Sequence, residues 1–350
     1  VDNPSKYFVG VDLHKTILQV CVLDSDGNIL EERRFRGGSL EEGVAAVEWM
    51  AQWKDGGRFC VEALGLNRWF VLSCIDFGLD IVVVDATKMG LRMLGKKTDR
   101  RDAYELARRL RLGDIDRNAA TYFANEKEFA GRKLVRTRHA LTHLRQDLVN
   151  QIRALLSSYR VESSPNQLYR KKAILKLQAT SLPNEDLDRC LQALVSCLEA
   201  TQRSIDELAK RITARTEEEA ATVILTSLPS IGPLTATTLA VELGDLQRFR
   251  NSKAVASYAG LAPRVANSAD KSHHGRITKR GNRELRWILT QWSVRLLSFN
   301  NTVKEWAEPL LLRMHRNKVR MALARRLLIG IYVMMTRGDV FDLKRCLAHT

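Results

Sequence analysis

Four carboxylates and two serines carry the chemistry open to this sequence. Asp12 ends the run YFVGVD, Glu62 closes RFCVE, and Asp99 and Asp102 stand three apart within KKTDRRDAYELARRL. That last spacing places both carboxylates on one face of a helix. Four carboxylates brought together repel one another unless a cation neutralises them. Hard oxygen ligands of this kind select Mg2+ or Mn2+. Two such ions about 4 Å apart can activate an attacking oxygen and stabilise the leaving oxygen of a phosphodiester. Taken singly, the same residues have plainer roles. A strand-end Asp is commonly a turn residue, Asp99 suits a helix N-cap, and Asp102 suits the first turn. His14, two residues past Asp12, reads as a solvated strand-end histidine. Ser268 and Ser272 lie among Lys, Arg and His, whose charges could stabilise a serine attack on phosphorus. Loop serines are mostly turn formers.

The elements around these residues divide the chain into three expected parts. Over residues 1–116, short β-rich runs at 7–12, 17–23, 29–35, 58–63 and 80–86 alternate with helical periodicity at 39–53, 66–77, 87–94 and 99–113. The DSDGN segment is a hairpin turn. Three strands joined by hairpins, then two reached by crossover helices, is the order of a ribonuclease-H-like sheet. In that sheet the strands ending at Asp12 and Glu62 are neighbours. Residues 117–218 carry heptads, with Leu134, Leu141, Leu148 and Leu155 in one helix, and Leu144 and Ile152 filling its seam. Leu191, Leu198, Ile205 and Ile212 lie in a second. They predict a long coiled-coil hairpin, packed on itself or between protomers. Residues 219–350 read as a helical basic unit. Its SLPSIG turn resembles a helix-hairpin-helix element, with Ser230 where glycine is common.

Charge separates these parts. Residues 1–115 hold 17 Lys and Arg against 18 Asp and Glu, a net of −1, which leaves +17 for the rest of a chain whose total is +16. A near-neutral unit joined to a strongly basic one suggests chemistry at one end and a polyanion grip at the other. The candidate phosphate-binding residues are Arg264, Lys271, Arg276, Lys279, Arg280, Arg283 and Arg286, followed by Arg316, Lys318 and Arg320. No apolar run approaches the roughly 18 residues of a membrane span. The opening VDNPSKYFVGVD lacks a leader's basic and apolar regions, and six dispersed cysteines without a CxxC pair suggest buried thiols in a reducing compartment. A cytoplasmic location is therefore expected.

The set VGVDLHK, VEALG, KKTDRRDA, LPSIGPLTA, YAGLAP and S-x6-GRITKRGNRELR resembles the DEDD-type insertion-sequence transposases, which are related to Piv-type DNA invertases. The match runs from about residue 6 to about residue 340. The resemblance implies an α/β RuvC-like domain followed by an all-α remainder that contains the transposase domain. It also implies Mg2+ held by Asp12, Glu62, Asp99 and Asp102, and Ser268 as a nucleophile that links covalently to DNA, with Ser272 as the fallback. Further implied are a structured guide (bridge) RNA, donor and target DNA, and homodimers or homotetramers, in a bacterial or archaeal nucleoid. Two departures stand out. Ala269 follows Ser268 where the family usually has glycine, and VEALG lacks the usual threonine near Glu62. The residues themselves also fit a junction-type Mg2+ nuclease without a covalent intermediate, or a silent nucleic-acid-binding protein.

Overall fold

The computed structural model describes residues 5–63, 65, 67–85, 98–115, 120–161, 168–268, 271–277 and 281–348. It forms two compact units, Val1–Phe123 and Ala124–Thr350.

In the first unit, β1 (Tyr7–Leu13), β2 (Ile17–Asp24), β3 (Ile29–Arg36), β4 (Gly57–Glu62), β5 (Asp80–Val84) and a two-residue β6 (Ala120–Thr121) make one sheet of order β3-β2-β1-β4-β5-β6. β1, β2 and β3 are antiparallel neighbours, whereas β4 and β5 run parallel to β1. This is the expected ribonuclease-H-like order. β6, antiparallel to β5, is an addition too short to carry a pattern in the sequence. The DSDGN turn forms as predicted: Asp24 Oδ1 accepts the N–H groups of Asp26, Gly27 and Asn28, and Gly27 takes φ 94°.

Alternation along the strands separates two faces. Val9, Val11, Leu18, Val20, Phe59 and Val61 pack beneath α1 (Leu40–Met50) and α2 (Arg68–Asp76). On the opposite face, Cys21, Leu23, Cys60 and Val84 lie under α3 (Asp99–Arg111), through Ala103, Leu106, Ala107 and Leu110. The helix predicted at 87–94 lies outside the described residues. Cys21, Cys60 and Cys74 are buried, and burial pushes the Cys21 thiol up to about 12. Cys190 and Cys197 are exposed and Cys346 is half-buried, so the expectation of buried thiols holds for three of the six.

In the second unit two long helices, α4 (Glu126–Ser158) and α6 (Glu185–Glu218), pack on each other within the chain. A capping box between Asn125 and Glu128 starts α4. At one end Leu148, Ile152 and Leu156 meet Leu191, Val195 and Leu198, closed over by α5 (Lys171–Gln178) through Ile174 and Leu177. At the other end Val135 and Ile212 pack against Val241. Between them the expected seam opens: Leu144 is 48% exposed and Leu141 only half-buried. An α-helix drifts about 20° per heptad against a strict seven-residue repeat. The buried stripe of α4 accordingly moves from Leu148 to Val135 rather than to Leu134 and Leu141.

The remainder comprises α7 (Ala220–Thr226), α8 (Pro233–Leu243), α9 (Ser252–Tyr258), β7 (Pro263–Ser268), β8 (Lys271–Ile277), α10 (Arg283–Phe299), α11 (Asn301–Leu311), α12 (Arg316–Arg337) and α13 (Leu343–Ala348). Its core gathers Leu239, Leu285, Leu289, Trp292, Leu323 and Leu327. The stretch expected to be helix and loop around Ser268 is instead an antiparallel two-stranded hairpin. Among the described residues no helix is long and apolar enough to cross a membrane.

Candidate active site

Asp12 and Glu62 lie at the ends of β1 and β4, and Asp99 and Asp102 in the first turn of α3. Val11 pairs with Val61, so Asp12 and Glu62 are the next positions along two parallel neighbours. Asn67 Nδ2 donates to the Glu62 carbonyl at 2.8 Å, and Ala63 N–H donates to Val84 O, fixing where β4 stops. Thr98 caps α3 by accepting from Arg101 N–H, which sets Asp99 and Asp102 in the first turn. Gly10 lets this helix approach: a Cβ there would lie 2.2 Å from Ala103 O and 2.5 Å from Ala107 N. A glycine inside a strand signals such close approach, and VGVD carried that signal.

Asp12, His14 and Asp99 can bring one ligand atom each within 4.8 Å of one another. His14 Nε2 lies 3.1 Å from Asp12 Oδ2 and 3.5 Å from Asp99 Oδ1. Burial raises the Asp12 carboxyl above its ordinary value, His14 pulls it back down, and the charges of Asp102 and Asp99 push it up again. Glu62 and Asp102 stand outside the close trio. His14, expected to be merely solvated, is instead its third member, although its side chain is 54% exposed.

A buried carboxylate held up by neighbouring acids is what a divalent cation relieves, and the two carboxylates suit Mg2+ or Mn2+. Either cation should therefore raise the melting temperature. At a concentration about 100 times its Kd the stabilisation is ~2.7 kcal/mol. Calorimetry of the Asp12→Asn/Asp99→Asn variant checks the site: an unchanged metal-induced shift there would place the cation elsewhere.

Residues 9–161 match a DEDD transposase family of the IS110 type, and residues 223–308 match the family described as Transposase IS116/IS110/IS902. The chain is 26% identical to the transposase for insertion sequence element IS1111A of Coxiella burnetii, over 95% of this chain and 90% of the relative. It is 25% identical to the transposase for insertion sequence element IS1328 of Yersinia enterocolitica, over 97% and 99%. The chain belongs to the DEDD-type IS110 transposase family.

The second unit of this transposase carries Ser268 as the last residue of β7, paired with Lys271 across the hairpin, while Ser272 pairs with Asn267. Both ends of the hairpin are tied at its base. Asn282 N–H donates to Tyr258 O at 2.7 Å, and Arg286 Nη1 donates to Ala259 O at 3.0 Å. Asn282 Nδ2 donates to Glu242 Oε2 at 2.6 Å, and Glu242, fully buried, also takes two 2.7 Å bonds from Arg136. Beside this clamp, His139 contacts Glu284 and stacks on Trp287 with ring centroids 4.0 Å apart. Glu242 and Arg136 were missed in sequence because each looks like an ordinary helical charge.

The predicted basic residues are dispersed. Arg264, Lys271 and Arg276 lie on the hairpin strands, and Lys279 and Arg280 fall outside the described residues. Arg283, Arg316 and Lys318 are exposed. Arg286 is half-buried on the Ala259 carbonyl, and Arg320 is half-buried with Nη1 donating to Asn317. The SLPSIG turn links α7 to α8, with Ser230 at φ 63° in the left-handed region that favours glycine.

Proposed function

We propose that this transposase cuts and rejoins DNA strands through a covalent link between Ser268 and DNA, assisted by Mg2+ or Mn2+ at Asp12, Glu62, Asp99 and Asp102. The observation that carries the reading is the convergence of Asp12, His14 and Asp99 at the strand ends of a ribonuclease-H-like sheet, in a chain matched by both transposase families. When bound, the cation supplies charge stabilisation at the reacting phosphate. Asp12, Glu62, Asp99 and Asp102 would hold it, with His14 orienting Asp12. The Ser268 hydroxyl attacks phosphorus: the Oγ–P bond forms, one P–O bond to the leaving strand breaks, and the departing oxygen takes up a proton. Rejoining reverses these events on the partner strand.

The basic residues of the second unit hold phosphates, with the SLPSIG turn acting as a helix-hairpin-helix phosphate grip. A structured guide RNA selects donor and target DNA, and the long α4–α6 arm pairs protomers into a homodimer or homotetramer. The enzyme works in the cytoplasm, at the nucleoid.

The test is a denaturing gel of the full chain with labelled element-end DNA and its co-purified RNA. Wild type is expected to yield a protein–DNA adduct that Ser268→Ala lacks, and Asp12→Ala is expected to yield no cleavage. An adduct from Ser268→Ala would transfer the role to Ser272. Free DNA ends without any adduct would favour the metal-dependent nuclease, which needs the carboxylates alone.

A further inference from the structure

The register of the first unit puts a polar row across three strands. Asp12 pairs with Gln19 and Gln19 with Arg34, so all three stand on the α3 face, with Arg34 on the sheet's edge strand. The next row on that face joins Ile17 to Arg36, and His14 N–H donates to Ile17 O. Two inter-strand spacings, roughly 10 Å, separate the arginines from Asp12 and His14.

Both guanidiniums are exposed. Arg34 Nη2 reaches Asp99 Oδ2 at 4.0 Å, with side chains 62% and 42% exposed. An ion pair this long and this exposed adds little to stability, so stability does not account for Arg34. The acid one row away on the same strand, Glu32, is paired with Arg100. Arg36 has no ion-pair partner among the described residues. Among the described residues, the one anionic partner of Arg34 is thus Asp99, a carboxylate of the proposed cation site, and Arg36 beside it has none. Arginine presents a planar fork of N–H donors that fits a phosphate bidentately.

We propose that Arg34 and Arg36 form a phosphate subsite that holds the DNA strand being cut, one or a few nucleotides from the carboxylate site. The near-zero net charge of this unit conceals it, because Glu31 and Glu32 on the same strand offset its arginines. The subsite rests on the reading of the carboxylates as the cutting site, and it adds a grip that the basic second unit does not supply.

The test uses the full chain and element-end DNA in which single phosphates flanking the cleaved bond are replaced by neutral methylphosphonates. With wild type, one or two flanking positions should weaken binding about tenfold, and Arg34→Ala/Arg36→Ala should weaken binding of unmodified DNA by a similar factor. The effects should not multiply, because the substituted phosphates and the removed arginines are the two sides of the same contacts. The variant should also lower the salt dependence of log Kd by about two phosphate contacts, and Arg34→Lys/Arg36→Lys should keep it. Both arginines are exposed on an edge strand, so unchanged melting is the control. Multiplicative effects, or an unchanged salt slope, overturn the subsite. Asp12→Ala separates the two claims. If it cleaves normally the carboxylate reading fails, whereas if it is inactive while the arginine variants bind like wild type, only the subsite fails.

Discussion

Gly10→Ala is expected to abolish strand cleavage and to lower the melting temperature by ~10 °C, an effect larger than its single methyl group suggests. The new Cβ would sit 2.2 Å from Ala103 O and 2.5 Å from Ala107 N, both helix backbone. Backbone cannot rotate aside as a side chain does, so α3 must lift from β1. Overpacking of this kind costs roughly 3 kcal/mol, and in a unit of this size each kcal/mol moves the melting point by several degrees. Lifting α3 carries Asp99 and Asp102 away from Asp12, so activity falls further than stability requires. Thermal unfolding and a cleavage assay well below the new melting point check this together. A variant that melts as wild type, or cleaves normally, would show that the close approach does not set the carboxylate geometry.

Arg136→Ala should destabilise the second unit by about 2 kcal/mol, below the ~3–5 kcal/mol of a wholly buried pair because the Arg136 side chain is 48% exposed, since it leaves the fully buried Glu242 carboxylate without its countercharge. Among the described residues, Asn282 alone would remain to donate to it. Neutralising that carboxylate in the same chain, as Arg136→Ala/Glu242→Gln, should recover most of the loss, since no charge is then stranded. The coupling between the two changes, read from urea unfolding, is the measurement. Additive effects would mean that the pair does not act as a unit. Asn282 also closes the base of the hairpin on Tyr258 O, so Arg136→Ala should depress adduct formation at Ser268 as well.

Much of the first unit was legible because burial there imposes simple periods. YFVGVD, ILQVCVL and RFCVE read as strands, and placing Asp12 beside Glu62 needed only their order. The joining of His14 to Asp99 was not legible, since it depends on how α3 approaches past Gly10. In the second unit the heptads of α6 predicted the burial of Leu191, Leu198, Ile205 and Ile212. Those of α4 did so only in part. Once α8 supplies the contact at Val135, helix phase rather than leucine spacing decides which residues are covered. The hairpin at Ser268 was hidden because its strands, PRVANS and KSHHGRI, lack the apolar alternation that a half-buried sheet imposes. What holds that hairpin at its base is a set of hydrogen bonds to helix and loop backbone, which leave no trace in composition.

The gap in the seam of α4 has a consequence for how the second unit opens. Roughly 20 Å of helix separates Val135 from Leu148, and no residue of α4 in that span is buried, although Ile205 of α6 is. The outer end, built on Ile152, Leu177 and Leu191, is therefore expected to open as a cooperative block of its own, while the inner end is expected to melt with the core around Trp292. Amide protons at the outer end exchange by a separate, lower-energy opening. Sequence drift there can proceed without disturbing the network that Arg136 and Glu242 maintain.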